Sequence, residues 1–125
     1  DAARGRVVLF GGHKDGETLS DTWEWDGSTW ALRAPAVSPA ARSGHAMAYD
    51  AARSRVVLFG GAGGGEPVPD TWEWDGSTWT QPPAMLSPAA RYGHAMAYDA
   101  ARGRVLLFGG TGSSMWSDTW EWTGD

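Results

Sequence analysis

The sequence contains no cysteine, and its 125 residues include a single lysine, Lys14. Without cysteine the chain can form neither disulfide bonds nor thiolate metal sites, and it has no cysteine nucleophile. This absence leaves the redox compartment open, because an exported protein need not contain disulfides. No apolar run is long enough to cross a bilayer, so we expect no membrane insertion.

The sequence contains no run of charged residues of one sign. Fifteen acidic and ten basic side chains give a net charge of -5 and are spread along the chain. The sequence therefore predicts no nucleic-acid partner. No segment has helical apolar spacing, and 18 glycines, seven prolines and nine tryptophans indicate short strands separated by many turns.

Three copies of one apolar stretch organise the chain. It reads RVVLFGG at 6–12 and 55–61, and RVLLFGG at 104–110. The sequence DTWEW follows each copy, and GHAMAYD precedes the second and third. Identical DAAR stretches recur 49 residues apart, at Asp1, Asp50 and Asp99. The sequence therefore predicts about two and a half repeat units.

Each unit has the pattern of four short strands. The apolar run before the glycine pair is typical of a strand buried on both faces, and we designate it strand two. The indoles of DTWEW share one face of strand three. A two-residue Asp-Gly turn, at 26–27 and 75–76, leads into strand four. The alternation of large and small residues at 45–49 and 94–98 predicts strand one of the next unit. We expect the glycine pair to make room for the tryptophans.

Four-stranded antiparallel units of this size pack face to face around an axis in a β-propeller. A β-solenoid is the alternative fold, but its coils are usually shorter. The glycine pair after an apolar strand, the tyrosine before it and the tryptophan after it resemble kelch repeats, whose period is about 50 residues. DTWEWDGSTW and SGHAMAYD are similar to bacterial kelch repeats of the galactose-oxidase central-domain type.

The resemblance implies an all-β, kelch-type β-propeller segment of ten strands, with strand one innermost and strand four outermost. It implies a partial blade at 1–34, a complete blade at 42–82 and a partial blade at 91–125. A closed propeller needs four to eight blades, so we expect either a piece of a longer ring or an assembly of copies. Two copies supply six blade positions, the number common in kelch rings, which predicts a homodimer.

The loops between strands two and three share one rim with the connections into strand one, and we call this the loop rim. These loops differ in the three units, at 13–20, 62–69 and 111–117, whereas the opposite rim is nearly identical in each. Variable loops on a repeated scaffold usually carry binding chemistry. Free drift of loops that nothing packs on is the alternative.

The candidate binding residues belong to the loop rim and are Arg42, Ser43, His45, Arg91, Tyr92, His94, His13, Lys14 and Trp116. In kelch adaptors that this chain resembles, an arginine at the position of Arg42 and Arg91 contacts acidic groups of a bound peptide in bidentate geometry. A salt bridge to a loop of a neighbouring blade is the alternative. The recurring histidines favour a structural role over a metal site, because no acidic residue recurs beside them. Trp116 is unique to one loop and marks a contact with a ligand, a blade or another chain.

We expect a non-enzymatic binding or scaffold module that recognises a protein or peptide and needs no cofactor. Galactose oxidase, a kelch enzyme, uses copper with a Tyr–Cys cross-link, which a chain without cysteine cannot form. The serines, histidines and aspartates show no triad spacing. DGSTW resembles the Asp-box of sialidases but lacks a residue of it, and that motif is structural. A carbohydrate-binding propeller is the alternative, and a sugar-active enzyme such as an isomerase is a third. The resemblance implies an extracellular or cell-surface location in bacteria.

Overall fold

Each copy of the apolar run forms one strand of a separate antiparallel sheet in a computed structural model, which describes residues 1–124. The strands in these residues are, in chain order, β1 (Val7–Lys14), β2 (Glu17–Trp25), β3 (Trp30–Arg33), β4 (Ala46–Asp50), β5 (Arg55–Phe59), β6 (Ala62–Gly63), β7 (Glu66–Pro67), β8 (Thr71–Trp74), β9 (Trp79–Thr80), β10 (Arg91–Tyr92), β11 (Ala95–Asp99), β12 (Arg104–Phe108), β13 (Thr111–Gly112) and β14 (Thr119–Trp122).

Three main sheets carry the repeat. Sheet one has the order β1-β2-β3, sheet two β4-β5-β8-β9 and sheet three β11-β12-β14. These orders are strands two-three-four, one-two-three-four and one-two-three of the repeat, which confirms the predicted ten main strands. The ribbons β6–β7 and β10–β13 on the loop rim are additional, because loop backbone pairs there beyond the glycine pairs. The blade limits 1–34, 42–82 and 91–125 stay predictions, and residue 125 lies outside the described residues.

The core lies where neighbouring sheets face each other. Between sheets one and two it consists of five buried residues, namely Phe10, Val56, Leu58, Trp74 and Trp79. Phe10 meets Trp79 edge to face at a centroid distance of 5.3 Å, a favoured aromatic geometry. The Trp79 indole N–H donates to Thr22 Oγ1 of sheet one at 2.9 Å. In β5 the apolar run is buried on both faces, as the sequence predicts.

The rim opposite the loops joins the sheets through arginines of the DAAR turns. The guanidinium of Arg53 binds the carboxylates of Asp50 and Glu73 in its own sheet. The same group lies 5.9 Å from the ring centroid of Trp122 in sheet three. One cation thus connects two buried carboxylates and the indole of the neighbouring sheet. Arg4 likewise binds Asp1 and Glu24 in sheet one, whereas Arg102 binds only Asp99 among residues 1–124.

The predicted two-residue Asp-Gly turn is wrong. Trp25 pairs with Trp30, so the loop between β2 and β3 has four residues, 26–29. Asp26 Oδ1 accepts the backbone N–H groups of Ser28 at 2.8 Å and Thr29 at 2.9 Å. Only the glycine of the Asp-Gly pair has positive φ. The aspartate side chain closes the loop as an Asx turn, which Ser-Thr after Asp-Gly permits.

The described residues contain no helix with the length and apolarity that a membrane crossing requires.

Candidate functional site

The loop rim has a different backbone in each unit. We number the repeat units one to three, like the sheets they form. In unit one β1 and β2 continue past the glycine pair as a hairpin that turns at Asp15 and Gly16. In unit two the loop forms the short ribbon β6–β7, and in unit three Thr111 bridges Met115. The sequence variation of these loops is therefore also a variation in shape.

Arg42 and Arg91 are held inside the protein. Their side chains are 2% and 0% exposed. Arg42 donates Nη1 and Nη2 to the two carboxylate oxygens of Asp70, at 2.5 and 2.9 Å. Its Nη1 also donates to the Gly60 carbonyl at 3.0 Å. Arg91 repeats the arrangement with Asp118. Bidentate binding to a carboxylate is the role expected of these arginines, but the carboxylate belongs to the chain.

The prediction that these two arginines contact a bound peptide is not supported, since their donors are occupied within the fold. The salt-bridge alternative is the arrangement found, although the partner lies in the same sheet and not in a neighbouring blade. Asp70 and Asp118, the partners of these arginines, were not predicted from the sequence. The available signal was the recurrence of the first aspartate of DTWEW with the same period as the arginine.

Each aspartate also accepts the indole N–H of the following tryptophan, at 2.9 Å for Trp72 and 2.8 Å for Trp120. Burial raises the pKa of Asp70, but the hydrogen bonds from Arg42 and Trp72 outweigh it and keep that pKa below its ordinary value. The hydrogen bond from Arg91, with that from Trp120, holds the pKa of Asp118 far below its ordinary value. Both carboxylates are thus ionised partners of a cation near neutral pH.

His45 and His94 join consecutive units. His94 Nε2 donates to the Phe59 carbonyl at 2.9 Å, so the neutral ring carries its proton on Nε2. The ring meets Phe59 edge on at 5.6 Å, and His45 meets Phe10 in the same way at 5.7 Å. Burial lowers the pKa of both histidines, which keeps them neutral near pH 7. This is the structural role that the sequence favours, and residues 1–124 hold no cluster of metal-binding side chains.

The glycine pair makes room for the contact that this histidine forms with the preceding unit. The expectation that the pair accommodates tryptophan is wrong. A Cβ on Gly60 would lie 2.6 Å from the Arg91 carbonyl oxygen and 2.9 Å from His94 Cε1. The Gly61 N–H donates to the same Arg91 carbonyl at 2.8 Å. The close approach is therefore backbone to backbone between consecutive units, which a side chain would prevent.

We expect Gly60→Ala to destabilise the fold by about 1–3 kcal/mol more than Gly109→Ala. Both glycines have positive φ, 70° and 75°, so both variants carry the same left-handed strain. Only at Gly60 does the new Cβ overlap a carbonyl, because the nearest atom at Gly109, the Trp116 carbonyl oxygen, is 3.6 Å away. Urea denaturation of the two variants measures the difference. Equal losses would show that the overlap is relieved without cost.

The other candidate residues lie at the surface of the rim. His13 and Lys14 are exposed at the tip of the unit-one hairpin, and Ser43 bridges to Ala62. Tyr92 is 40% exposed. Trp116 is half-buried with its ring 5.0 Å from the guanidinium carbon of Arg91, so one face of the indole is used within the chain. That Trp116 contacts a ligand stays a prediction.

An open cleft on the rim of sheet three brings several of these side chains together. Its lining includes Tyr92, Phe108, Met115 and Trp116. Met115 is 90% exposed and Phe108 54%. Exposed aromatic and methionine side chains around bare glycine backbone form a surface that suits an apolar or aromatic anchor of a partner.

A family model described as the KLHDC2/KLHL20/DRC7 Kelch-repeats domain matches residues 1–122. Among solved structures, that of YjhT superposes with a TM-score of 0.73 at 18% sequence identity, over 92% of this chain. The chain spans 39% of the length of that structure, and the likeness shows the fold alone. No curated protein matches the chain.

Proposed function

We propose that this chain, which belongs to the kelch-repeat domain family, is a non-enzymatic module that binds a protein or peptide through its loop rim. The family match and the propeller fold confirm the resemblance that the repeats indicate. Binding through the loop rim is supported by a difference between the repeated and the unrepeated residues of that rim. The repeated Arg and His side chains are occupied in the fold, whereas the unrepeated residues Tyr92 and Met115 are exposed.

The exposed cleft on sheet three is the observation that carries the proposal. Tyrosine supplies large contact area with few rotatable bonds, and methionine adapts its shape to a partner. A peptide with an aromatic or aliphatic anchor is the class of ligand that this lining suits. The glycan alternative has less support, because Trp116, the tryptophan that lines the cleft, already stacks one face on Arg91. A bacterial extracellular or cell-surface location is also proposed, on the sequence resemblance alone.

Selection from a displayed random-peptide library tests the proposal without a known partner. We expect enriched peptides to lose binding to a Tyr92→Ser, Met115→Ser double variant. They should keep binding to Ser77→Ala, an exposed change on the opposite rim. Peptides that bind both variants equally would place the site elsewhere. Turnover of a sugar substrate by the chain would contradict a non-enzymatic role.

We also propose self-association through the two outer sheet faces. Val7, Leu9, Trp30 and Leu32 of sheet one are 43–58% exposed, although the equivalent residues Val56, Leu58 and Trp79 of sheet two are buried against sheet one. Phe108 is exposed in sheet three, whereas its equivalents Phe10 and Phe59 are 3% exposed. Packing sheet three of one copy on sheet one of another repeats the existing sheet contacts and covers Phe108, so in the dimer the peptide site is the part of the cleft at Tyr92 and Met115. Light scattering should give twice 13.3 kDa and a monomer for Leu32→Glu; a monomeric wild type would contradict the proposal.

A further inference from the structure

The histidines at the contacts between consecutive units each bond the described chain through one ring nitrogen. His94 Nε2 donates to the Phe59 carbonyl at 2.9 Å, and His45 makes a hydrogen bond with the backbone of Phe10. The Nδ1 atoms of both rings are buried and have no hydrogen-bond partner among residues 1–124. A neutral ring leaves one acceptor unpaired there, whereas a protonated ring would place a second N–H donor and a full charge in the same position. The closed contact therefore favours the neutral ring.

The surroundings of the two rings also oppose protonation. Burial is the main cause that lowers the pKa of both histidines, and the positive charge of Arg42 beside His45, and of Arg91 beside His94, lowers it further. A charge on His45 would also repel a charge on His94. The hydrogen bonds to the backbone of the preceding unit act in the other direction and are outweighed. The acidic groups on the third strand of each unit already accept an indole N–H, and they are Asp21, Asp70 and Asp118. The charged groups on the loops of units one and two are exposed to solvent, namely His13, Lys14, Asp15, Glu17 and Glu66.

Backbone hydrogen bonds between the units lie beside these rings. The Gly12 N–H donates to the Arg42 carbonyl at 2.9 Å between units one and two, and the Gly61 N–H donates to the Arg91 carbonyl at 2.8 Å between units two and three. The glycine before each of these donors has no room for a Cβ. Because the contacts are packed this closely, a protonated ring gains hydration only when the two units separate there.

We propose that the contacts between consecutive units are acid-sensitive and open separately, with the sheets still folded, because opening lets His45 or His94 take up a proton. In the open contact the ring is solvated and its pKa returns to about 6.5. In the closed contact the pKa lies below that value, so the open form binds more protons as pH falls below about 6.5. Each pH unit therefore favours opening by up to about tenfold, until pH falls below the closed-state value. The contacts lie on the loop rim, so pH in this range changes how firmly the rim is held.

Amide hydrogen exchange of the full chain, followed by NMR at about pH 7 and at about pH 5.5, tests the proposal. The Gly12 amide reports the contact between units one and two, and the Gly61 amide reports that between units two and three. After division by the intrinsic exchange rate at each pH, the protection of both amides should fall several-fold, up to about eightfold. His94→Gln should abolish the fall at Gly61 and leave that at Gly12, and His45→Gln should do the reverse. Glutamine keeps an N–H donor for the carbonyl and cannot take up a proton in this range.

His13→Gln is the matched control, because it removes an exposed histidine of the same rim. It should change the pH dependence of neither amide. Each variant is compared with itself at the two pH values, so a general loss of stability does not imitate the result. The wild type supplies a measurement without substitution, since the ring signals of His45 and His94 should titrate below about pH 6.5. Titration of these rings at or above that pH would overturn the proposal. Equal effects of His45→Gln on the two amides would show global unfolding, and would overturn separate opening of the contacts.

Discussion

Arg42→Met is expected to destabilise the protein by about 3–5 kcal/mol. The arginine side chain is 2% exposed and Asp70 is 23% exposed, so removal of the cation leaves an anion in a poorly solvated position. Two carbonyl oxygens, of Ala40 and Gly60, lose their donor as well. The loss is a large fraction of the about 5–15 kcal/mol that stabilises a typical domain. Urea denaturation followed by tryptophan fluorescence measures it.

Graded variants keep this prediction testable if Arg42→Met does not fold. Arg42→Lys should lose less, because the charge remains while the bidentate contact is lost. Arg6→Met, at an exposed arginine, is the control and should lose within about 0.5 kcal/mol. Adding Asp70→Asn to Arg42→Met should restore part of the loss, since the unpaired charge is removed. A loss for Arg42→Met no larger than for Arg6→Met would contradict the buried ion pair.

The same pair predicts acid sensitivity. The folded-state pKa of Asp70 lies below its ordinary value of 3.8, so the unfolded chain takes up the proton first as pH falls. The stability contributed by the ion pair is therefore full above the unfolded value and is lost as pH falls toward the folded one. In the Arg42→Met, Asp70→Asn variant this part of the acid dependence should be absent.

Repetition made the fold predictable from the sequence. Three copies of RVVLFGG-type strands and three of DTWEW indicate antiparallel sheets. The prediction does not depend on any single residue, because the apolar pattern and the turn residues agree in every copy. The four-residue Asx turn escaped prediction since Asp-Gly alone favours the shorter hairpin. The turn type depends on the hydrogen bonds that the Asp26 side chain accepts from the backbone N–H groups of Ser28 and Thr29. The hairpin pattern in the sequence does not predict these bonds.

The site was less predictable, because a recurring residue has the same spacing whether its side chain binds a ligand or another residue of the chain. Arg42 and Asp70 lie 28 positions apart, and only the folded sheet brings them together. The glycine pair presented the same difficulty. Its neighbours are the arginine carbonyl and the histidine of the next unit, which are distant in sequence and less conspicuous than tryptophan. Tyr92 is exposed whereas the neighbouring Arg91 is buried. This difference depends on tertiary packing, which the local sequence pattern does not specify.

Trp79→Ala is expected to destabilise the protein by about 3–5 kcal/mol, the range for deleting a large buried aromatic side chain. Trp79 is 1% exposed and fills the contact between sheets one and two against Phe10. Its loss also leaves the buried hydroxyl of Thr22 without the indole donor, which lies at 2.9 Å. Trp79→Phe should lose less, because the ring is kept while the hydrogen bond is lost.

Trp30→Ala is the matched control, because Trp30 has the same position in unit one and packs on Trp25 at 5.6 Å, much as Trp79 packs on Trp74 at 5.4 Å. Trp30 is 46% exposed, so its deletion in the monomer should cost much less than that of Trp79. If sheet one is covered in a dimer, the two costs should converge as protein concentration rises, since the dimer buries Trp30 as sheet one buries Trp79. Equal losses in a proven monomer would contradict the assignment of Trp79 as the residue that joins the two sheets.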